Sequence, residues 1–286
     1  MDSHSSGDKG IVFFKMSGHG NDFIIIDNTD GNLSLDWQNC ASIWCRRRLS
    51  VGANGLLVIE QSKRADFKLR IFNSDGSEAE MCGNGARCAA VFAFEQGIAD
   101  SRMTFETRAG VIRAKVADDT ASIQLTDPKW EKERVELDID GETLTLYCVN
   151  TGVPHAVLFV KGLWDMSDEE VKRKGSLIRF HGTFEHEGTN VNFVEVAGPG
   201  NIHVRTYERG VEEETMACGT GAAASALITH LYGNGGNPPF TVKVPGGILE
   251  IDFHRIDSHI NDVWLTGKVT WAYRGELLYE KKVLSK

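Results

Sequence analysis

Met81-Cys82-Gly83-Asn84-Gly85-Ala86-Arg87-Cys88-Ala89-Ala90 and, 136 positions later, Ala217-Cys218-Gly219-Thr220-Gly221-Ala222-Ala223-Ala224-Ser225-Ala226 share one pattern. Each reads Cys-Gly-x-Gly-Ala, then small residues, then an apolar helical stretch. An acidic, turn-like segment precedes each copy: Asp75-Gly76-Ser77-Glu78-Ala79-Glu80 in the first, Glu208-Arg209-Gly210-Val211-Glu212-Glu213-Glu214 in the second. The spacing is close to half of the 286 residues. A recurrence at that distance reads as a duplicated domain, each copy presenting one cysteine at the start of a buried helix.

Around both copies run short segments rich in β-branched and aromatic residues, bounded by Gly, Asp and Asn, which predict strands. In the first half they are 10–14, 23–27, 55–59, 67–72, 110–116 and 121–125. In the second they are 144–149, 155–160, 191–196, 202–207, 240–244, 248–253 and 263–272. Helices are predicted over 34–45 with Ser34 as the cap, over 84–95, from the capping-box start at Ser167-Asp168-Glu169-Glu170, and over 221–231. The chain is therefore α+β and heavy in strand. A change near Asp127-Pro128 marks the best boundary between the halves. The expected domains are 10–127 plus 274–286 and 128–273, with 1–9 a disordered leader.

Composition narrows the function classes. Hydrophobic residues make up 41% and charged residues 25%, the make-up of a globular chain. No apolar run reaches the roughly 18 residues that a membrane-crossing helix needs. The polar N-terminus lacks the apolar core of a secretory signal, so a cytoplasmic location is expected. A formal charge of −9 argues against nucleic acid or an anionic membrane as partner. Gly is in excess at 30 residues while Pro stands at 6, a sign of backbone brought close to something. Cysteines 40, 45, 82, 88, 148 and 218 lack the tight spacing of structural zinc sites, and no metal is expected.

A cysteine leading into Gly-x-Gly at a helix N-terminus meets unpaired backbone N–H groups and the positive end of the helix dipole. That setting favours thiolate, and the amides suit a carboxylate. Two such cysteines facing one another across a cleft would let one thiolate remove a proton while one thiol delivers another from the opposite side. This inverts a carbon beside a carboxylate. Thiols so placed would join in a reversible disulfide on oxidation. Other readings remain at this level. Gly219 to Ala224 also has the GxGxxA form of a dinucleotide fingerprint, but it follows an acidic loop instead of a strand. A packing role for the cysteines and a redox-responsive binding protein are the blander alternatives.

Phe14-Lys15-Met16-Ser17-Gly18-His19-Gly20-Asn21-Asp22-Phe23, the run from Phe72-Asn73 into Cys82, Gly152-Val153-Pro154-His155, Gly188-Thr189-Asn190-Val191-Asn192-Phe193 and Tyr207-Glu208-Arg209-Gly210 into Cys218 resemble the motifs of the diaminopimelate epimerase family. The likeness extends from Phe14 to about Glu280. It implies two pseudo-symmetric domains, each a strongly curved, barrel-like β-layer wrapped round a central α-helix, with the last strands returning to the first domain. It implies a cofactor-independent homodimer that interconverts LL- and meso-diaminopimelate for lysine and peptidoglycan synthesis. Cys82 and Cys218 would be the acid/base thiols. Gly83, Asn84, Gly219 and Thr220 would cradle the reacting carboxylate. Asn21, Asn73, Asn190, Glu208 and Arg209 would hold the ammonium and the far amino-acid end, and His155 would flank the reacting centre. Three departures bear on the substrate: Val153 where the family often has Asn, an acidic loop over 211–214 that is one residue longer, and Asn54-Gly55 where Asp-Gly or Asp-Gln is common. A racemase of another amino acid, such as histidine, is the close alternative.

Overall fold

The computed structural model describes residues 10–130, 133–184, 187–233, 235–257 and 259–278; the leader expected over 1–9 lies outside them. The chain divides into two compact units, one running to Ala121 and resuming at Val269, the other Ser122–Lys268.

The first unit opens with β1 (Ile11–Gly18) and β2 (Asn21–Asn28), an antiparallel hairpin. Helix α1 (Trp37–Trp44) then leads to β3 (Gly55–Glu60), parallel to β2, and β4 (Phe67–Asn73), antiparallel to β3. The two-residue β5 (Glu78–Ala79) folds back on β4 and feeds α2 (Gly83–Glu95). Strand β6 (Arg102–Thr107) returns parallel to β4, and β7 (Gly110–Ala117) closes antiparallel to β6.

Strands β2 and β3 are nearly continuous apolar runs because both faces are covered. Ile24, Ile26, Leu56 and Val58 pack with Trp37, Cys40, Ala41 and Trp44 of α1. Leu57 and Phe23 lie against Gly85 of α2, where a Cβ would come within 3.1 Å of Leu57 Cδ2. Residues 84–93 of α2 are all buried, the state of a helix enclosed on every side. The α1 cap is Asp36, whose carboxylate accepts from Asn39 N–H, and not Ser34. Both residues are good caps, but the helix begins at Trp37, so only Asp36 is in position.

After β8 (Thr120–Gln124) the second unit follows the same order from its hairpin to its buried helix, with one strand added ahead of the hairpin. Strand β9 (Arg134–Ile139) pairs with β10 (Glu142–Asn150), and β11 (Pro154–Phe159) completes the hairpin. Helix α3 (Asp168–Arg179) follows, then β12 (Asn190–Gly198) parallel to β11 and β13 (Asn201–Glu208) antiparallel to β12. The short β14 (Glu213–Thr215) folds back on β13 and feeds α4 (Gly219–Tyr232). Strands β15 (Phe240–Val244), β16 (Gly247–Ile256) and β17 (His259–Lys268) close the unit. Residues 221–229 of α4 are buried, like their counterparts in α2. Ser167 caps α3 as expected. Val171 and Ile178 of α3 are fully buried against the sheet, worth roughly 1.5–3 kcal/mol each. Gly175 lets the helix seat on Tyr207, whose Cβ would stand 2.5 Å from an added methyl.

Strand β18 (Thr270–Leu277) belongs to the first unit, antiparallel to β1. The single strand expected over 263–272 is thus two, broken at Val269. An apolar run reports burial but not which neighbour a strand pairs with, and β17 and β18 pair with different ones.

Candidate active site

In the first unit the chain turns from β5 into α2 at Cys82, which is the helix N-cap. Its Sγ accepts from Gly85 N–H at 3.5 Å, and its carbonyl accepts from Ala86 N–H at 2.8 Å. A sulfur in this position faces the free amides of the first turn, which favours the anion. Asn84 lies one residue beyond Gly83. Its Nδ2 donates to Asn21 Oδ1, and its Oδ1 accepts from Arg87 Nη2 at 2.6 Å. Arg87 Nη2 also reaches His19 Nδ1 at 3.2 Å, with His19 in the left-handed region at φ 51°. The unit thus gathers Cys82, Gly83, Asn84 and Asn21 at one end of α2. Asn73 sits at the end of β4, in register with Gly55, and its Nδ2 donates to Ser77 Oγ at 3.0 Å. An added Cβ on Gly55 would come 2.7 Å from Phe72 O, so Gly is required beside Asn54.

The second unit builds the same turn at Cys218. Its carbonyl accepts from Ala222 N–H at 2.9 Å, as Cys82 does from Ala86. Its Sγ lies 3.5 Å from Thr220 Oγ1. His155, on β11 and buried, places Nε2 3.0 Å from the same hydroxyl. Asn192 sets the ring. Its Nδ2 donates to Ala156 O at 3.1 Å and faces His155 Nδ1 at 3.2 Å, while its Oδ1 accepts from Thr206 Oγ1 at 3.0 Å. An amide N–H pointed at Nδ1 makes Nδ1 the acceptor, so Nε2 carries the proton and donates to Thr220. The Thr220 hydroxyl is left to donate toward Cys218 Sγ. Burial, and secondarily the Arg209 charge, hold the His155 imidazole down at about 3, so the ring is neutral at physiological pH. Gly221 is obligatory: a Cβ there would collide with Asn192 Oδ1 and stand 3.3 Å from Cys218 Sγ. At Gly219 a Cβ would meet Leu265 Cδ2 at 2.6 Å.

Asn190 stands beside His155 in the β11–β12 register, but its carboxamide is engaged at both ends. Nδ2 donates to Pro154 O at 2.9 Å, and Oδ1 accepts from Arg209 N–H at 2.9 Å. The side chain therefore fixes the Arg209 backbone. Glu208 ends β13, accepts from Thr215 Oγ1 at 2.9 Å, and burial raises its pKa. Arg209 lies 3.6 Å from Glu187. The acidic loop pairs with cations of its own unit: Glu212 with Arg179 at 3.2 Å, the exposed Glu213 with Lys172, and Glu214 with Arg205 at 2.5 Å. Glu212 adopts φ 59°. Val153 lies in the turn between β10 and β11, its carbonyl accepting from Thr151 N–H at 3.2 Å.

Arg87, His19, Asn192, Thr206 and Thr151, which donates to Thr220 O at 2.9 Å, are not among the residues singled out from sequence. Asn192 had a signal, since it shares a strand face with Asn190. Among the described residues no group of three or more His, Cys, Asp or Glu is gathered as a metal ion would require, and no helix is long and apolar enough to cross a membrane.

A family model for diaminopimelate epimerase matches residues 13–131 and 147–272. The diaminopimelate epimerase of Aquifex aeolicus is 43% identical, the match covering 94% of this chain and 98% of the relative. That of Hydrogenobaculum sp. is 40% identical over 94% of this chain and 99% of its own. Among solved structures, a PhzF-family phenazine biosynthesis protein from Bacillus anthracis is similar with a TM-score of 0.73 at 17% identity, covering 95% of this chain and all of that one. A probable proline racemase from Agrobacterium radiobacter follows with a TM-score of 0.69 at 16% identity, covering 95% and 94%. The architecture of doubled β-layers round buried helices is the one these structures share. By sequence, over nearly its whole length, the chain belongs to the diaminopimelate epimerase family.

Proposed function

We propose that this chain interconverts LL- and meso-2,6-diaminopimelate, with Cys82 and Cys218 as the acid/base pair. One Sγ, as thiolate, takes the α-proton; the electron pair left on carbon delocalises into the carboxylate; the other Sγ–H returns a proton to the opposite face. The observation that carries the reading is the repeat of one device. In each unit a cysteine caps the central helix ahead of Gly-x-Gly, with its carbonyl bonded to the Ala four residues on. Packing alone gives no reason to keep that in both halves. Oriented N–H groups at such helix starts stabilise the charge that builds on a carboxylate. In this reading Gly83, Asn84, Gly219 and Thr220 hold the reacting carboxylate, while Asn21, Asn73, Glu208 and Arg209 hold the remaining amino-acid groups. Asn190 acts by placing Arg209, and His155 and Thr220 direct a hydroxyl at Cys218.

The same reading takes the enzyme to be a cytoplasmic homodimer, which light scattering on the purified protein checks. The deciding experiment is proton exchange by NMR in D₂O with LL-diaminopimelate and no added cofactor. Loss of the α-hydrogen signal with appearance of the meso form is expected, and is abolished in Cys82→Ala and Cys218→Ala. Exchange on histidine or serine derivatives with none on diaminopimelate would overturn the substrate while keeping the chemistry.

A further inference from the structure

Arg87 is fully buried on α2, yet among the described residues no carboxylate pairs with it, and its Nε and Nη1 have no hydrogen-bond partner. A buried guanidinium with no carboxylate beside it, and only the Cys82 and Cys88 thiols as charge partners, is unfavourable to keep, so its retention calls for a reason. Its one engaged nitrogen, Nη2, donates to Asn84 Oδ1 at 2.6 Å and faces His19 Nδ1 at 3.2 Å. A guanidinium has five donors and no acceptor. The Asn84 atom it meets is therefore the oxygen, and the Asn84 amide N–H is turned the other way, to Asn21. The Asn21 atom that receives it is in turn the oxygen. Asn21 Nδ2 is left over, half-buried and without a partner among the described residues.

We propose that Arg87 is a positioning residue that sets the direction of this hydrogen-bond chain, so that Asn21 presents N–H and never C=O to the substrate. The inference rests on the proposed function, which places Asn21 at the substrate, and adds to it the chemical class of group that Asn21 grips. A donor held in that orientation selects a carboxylate oxygen and rejects an ammonium. Reversing the chain would set an amide oxygen against the carboxylate. The consequence is weakened binding with the proton-transfer step left alone.

The test is steady-state kinetics and calorimetric binding of diaminopimelate at epimeric equilibrium, with thermal denaturation alongside. Arg87→Met removes the donor; KM and Kd should rise at least tenfold while kcat stays within threefold. Arg87→Gln and Arg87→Lys each keep an N–H for Asn84 and should restore KM to within threefold of the wild type. Asn84→Asp gives Arg87 a carboxylate partner, which secures folding, and turns an acceptor toward Asn21; it should show the same rise in KM even where Arg87→Met does not fold. Unchanged KM in Asn84→Asp, or an Arg87→Gln as impaired as Arg87→Met, overturns the proposal. A wild type that binds diaminopimelate without turning it over refutes the epimerase reading, while the Kd series still decides the role of Arg87. A wild type that does neither overturns both.

Discussion

His155 offers a way to weigh the second unit's buried network by pH alone. The ring titrates near 6.5 in an unfolded chain and at about 3 in place, through burial first and the Arg209 charge second. Between those values the unfolded state binds a proton that the folded state refuses, so stability falls as pH falls. At pH 5 the difference amounts to about 2 kcal/mol relative to pH 8. His155→Gln removes the titration and keeps an amide that can donate to Thr220. Urea denaturation of both proteins at pH 8 and pH 5 isolates the effect, because every other ionisable group is common to both. The wild type's advantage over the variant should shrink by about 2 kcal/mol on going to pH 5. Parallel stability curves would refute the argument that a neutral imidazole is held there.

Replacing Thr220 by Val should lower kcat roughly tenfold, in line with a lost hydrogen bond to a charged group, with Thr220→Ser near the wild type; equal losses in both would show that the hydroxyl is not what matters. Gly221→Ala forces a methyl into Asn192 and should cost about 1–3 kcal/mol as overpacking does, along with most of the activity; an active protein of unchanged melting temperature would contradict the close approach. Burial pushes the thiols of Cys40 and Cys88 up to about 12 and Cys45 to about 11, so iodoacetamide at pH 8 should leave all three unlabelled while it modifies Cys82. Peptide mapping that finds Cys40 labelled first would sink that expectation.

The Cys-Gly-x-Gly starts of α2 and α4 were legible because N-caps and small residues are local signals. The cap of α1 was less so, since Ser34 and Asp36 are both suitable residues and only the helix start chooses between them. Strands β6 and β9, Arg-Met-Thr-Phe-Glu-Thr and Arg-Val-Glu-Leu-Asp-Ile, alternate apolar with polar or charged residues and escape a search for apolar runs. The acidic loop over 211–214 is plain in the sequence, but a row of acids does not disclose that α3 supplies Lys172 and Arg179, and β13 supplies Arg205, to meet them. Arg87 lay within the motif from the start. Its burial, and the carboxamide it orients, depend on which strand turn the helix face meets, and no spacing rule encodes that.

The pairing of β18 with β1 sets an order on synthesis. Ile11 finds Leu277 and Phe14 finds Arg274, partners that a ribosome adds only after the entire second unit has been synthesised. Until then β1 has β2 on one side and an open row of N–H and C=O groups on the other, a template for pairing with another chain. The second unit, whose strands β9 to β17 are contiguous, can close as soon as it is made. The part of the protein made first is therefore completed last, and crowding or slow translation of the eight residues of β18 would leave β1 open to misassembly.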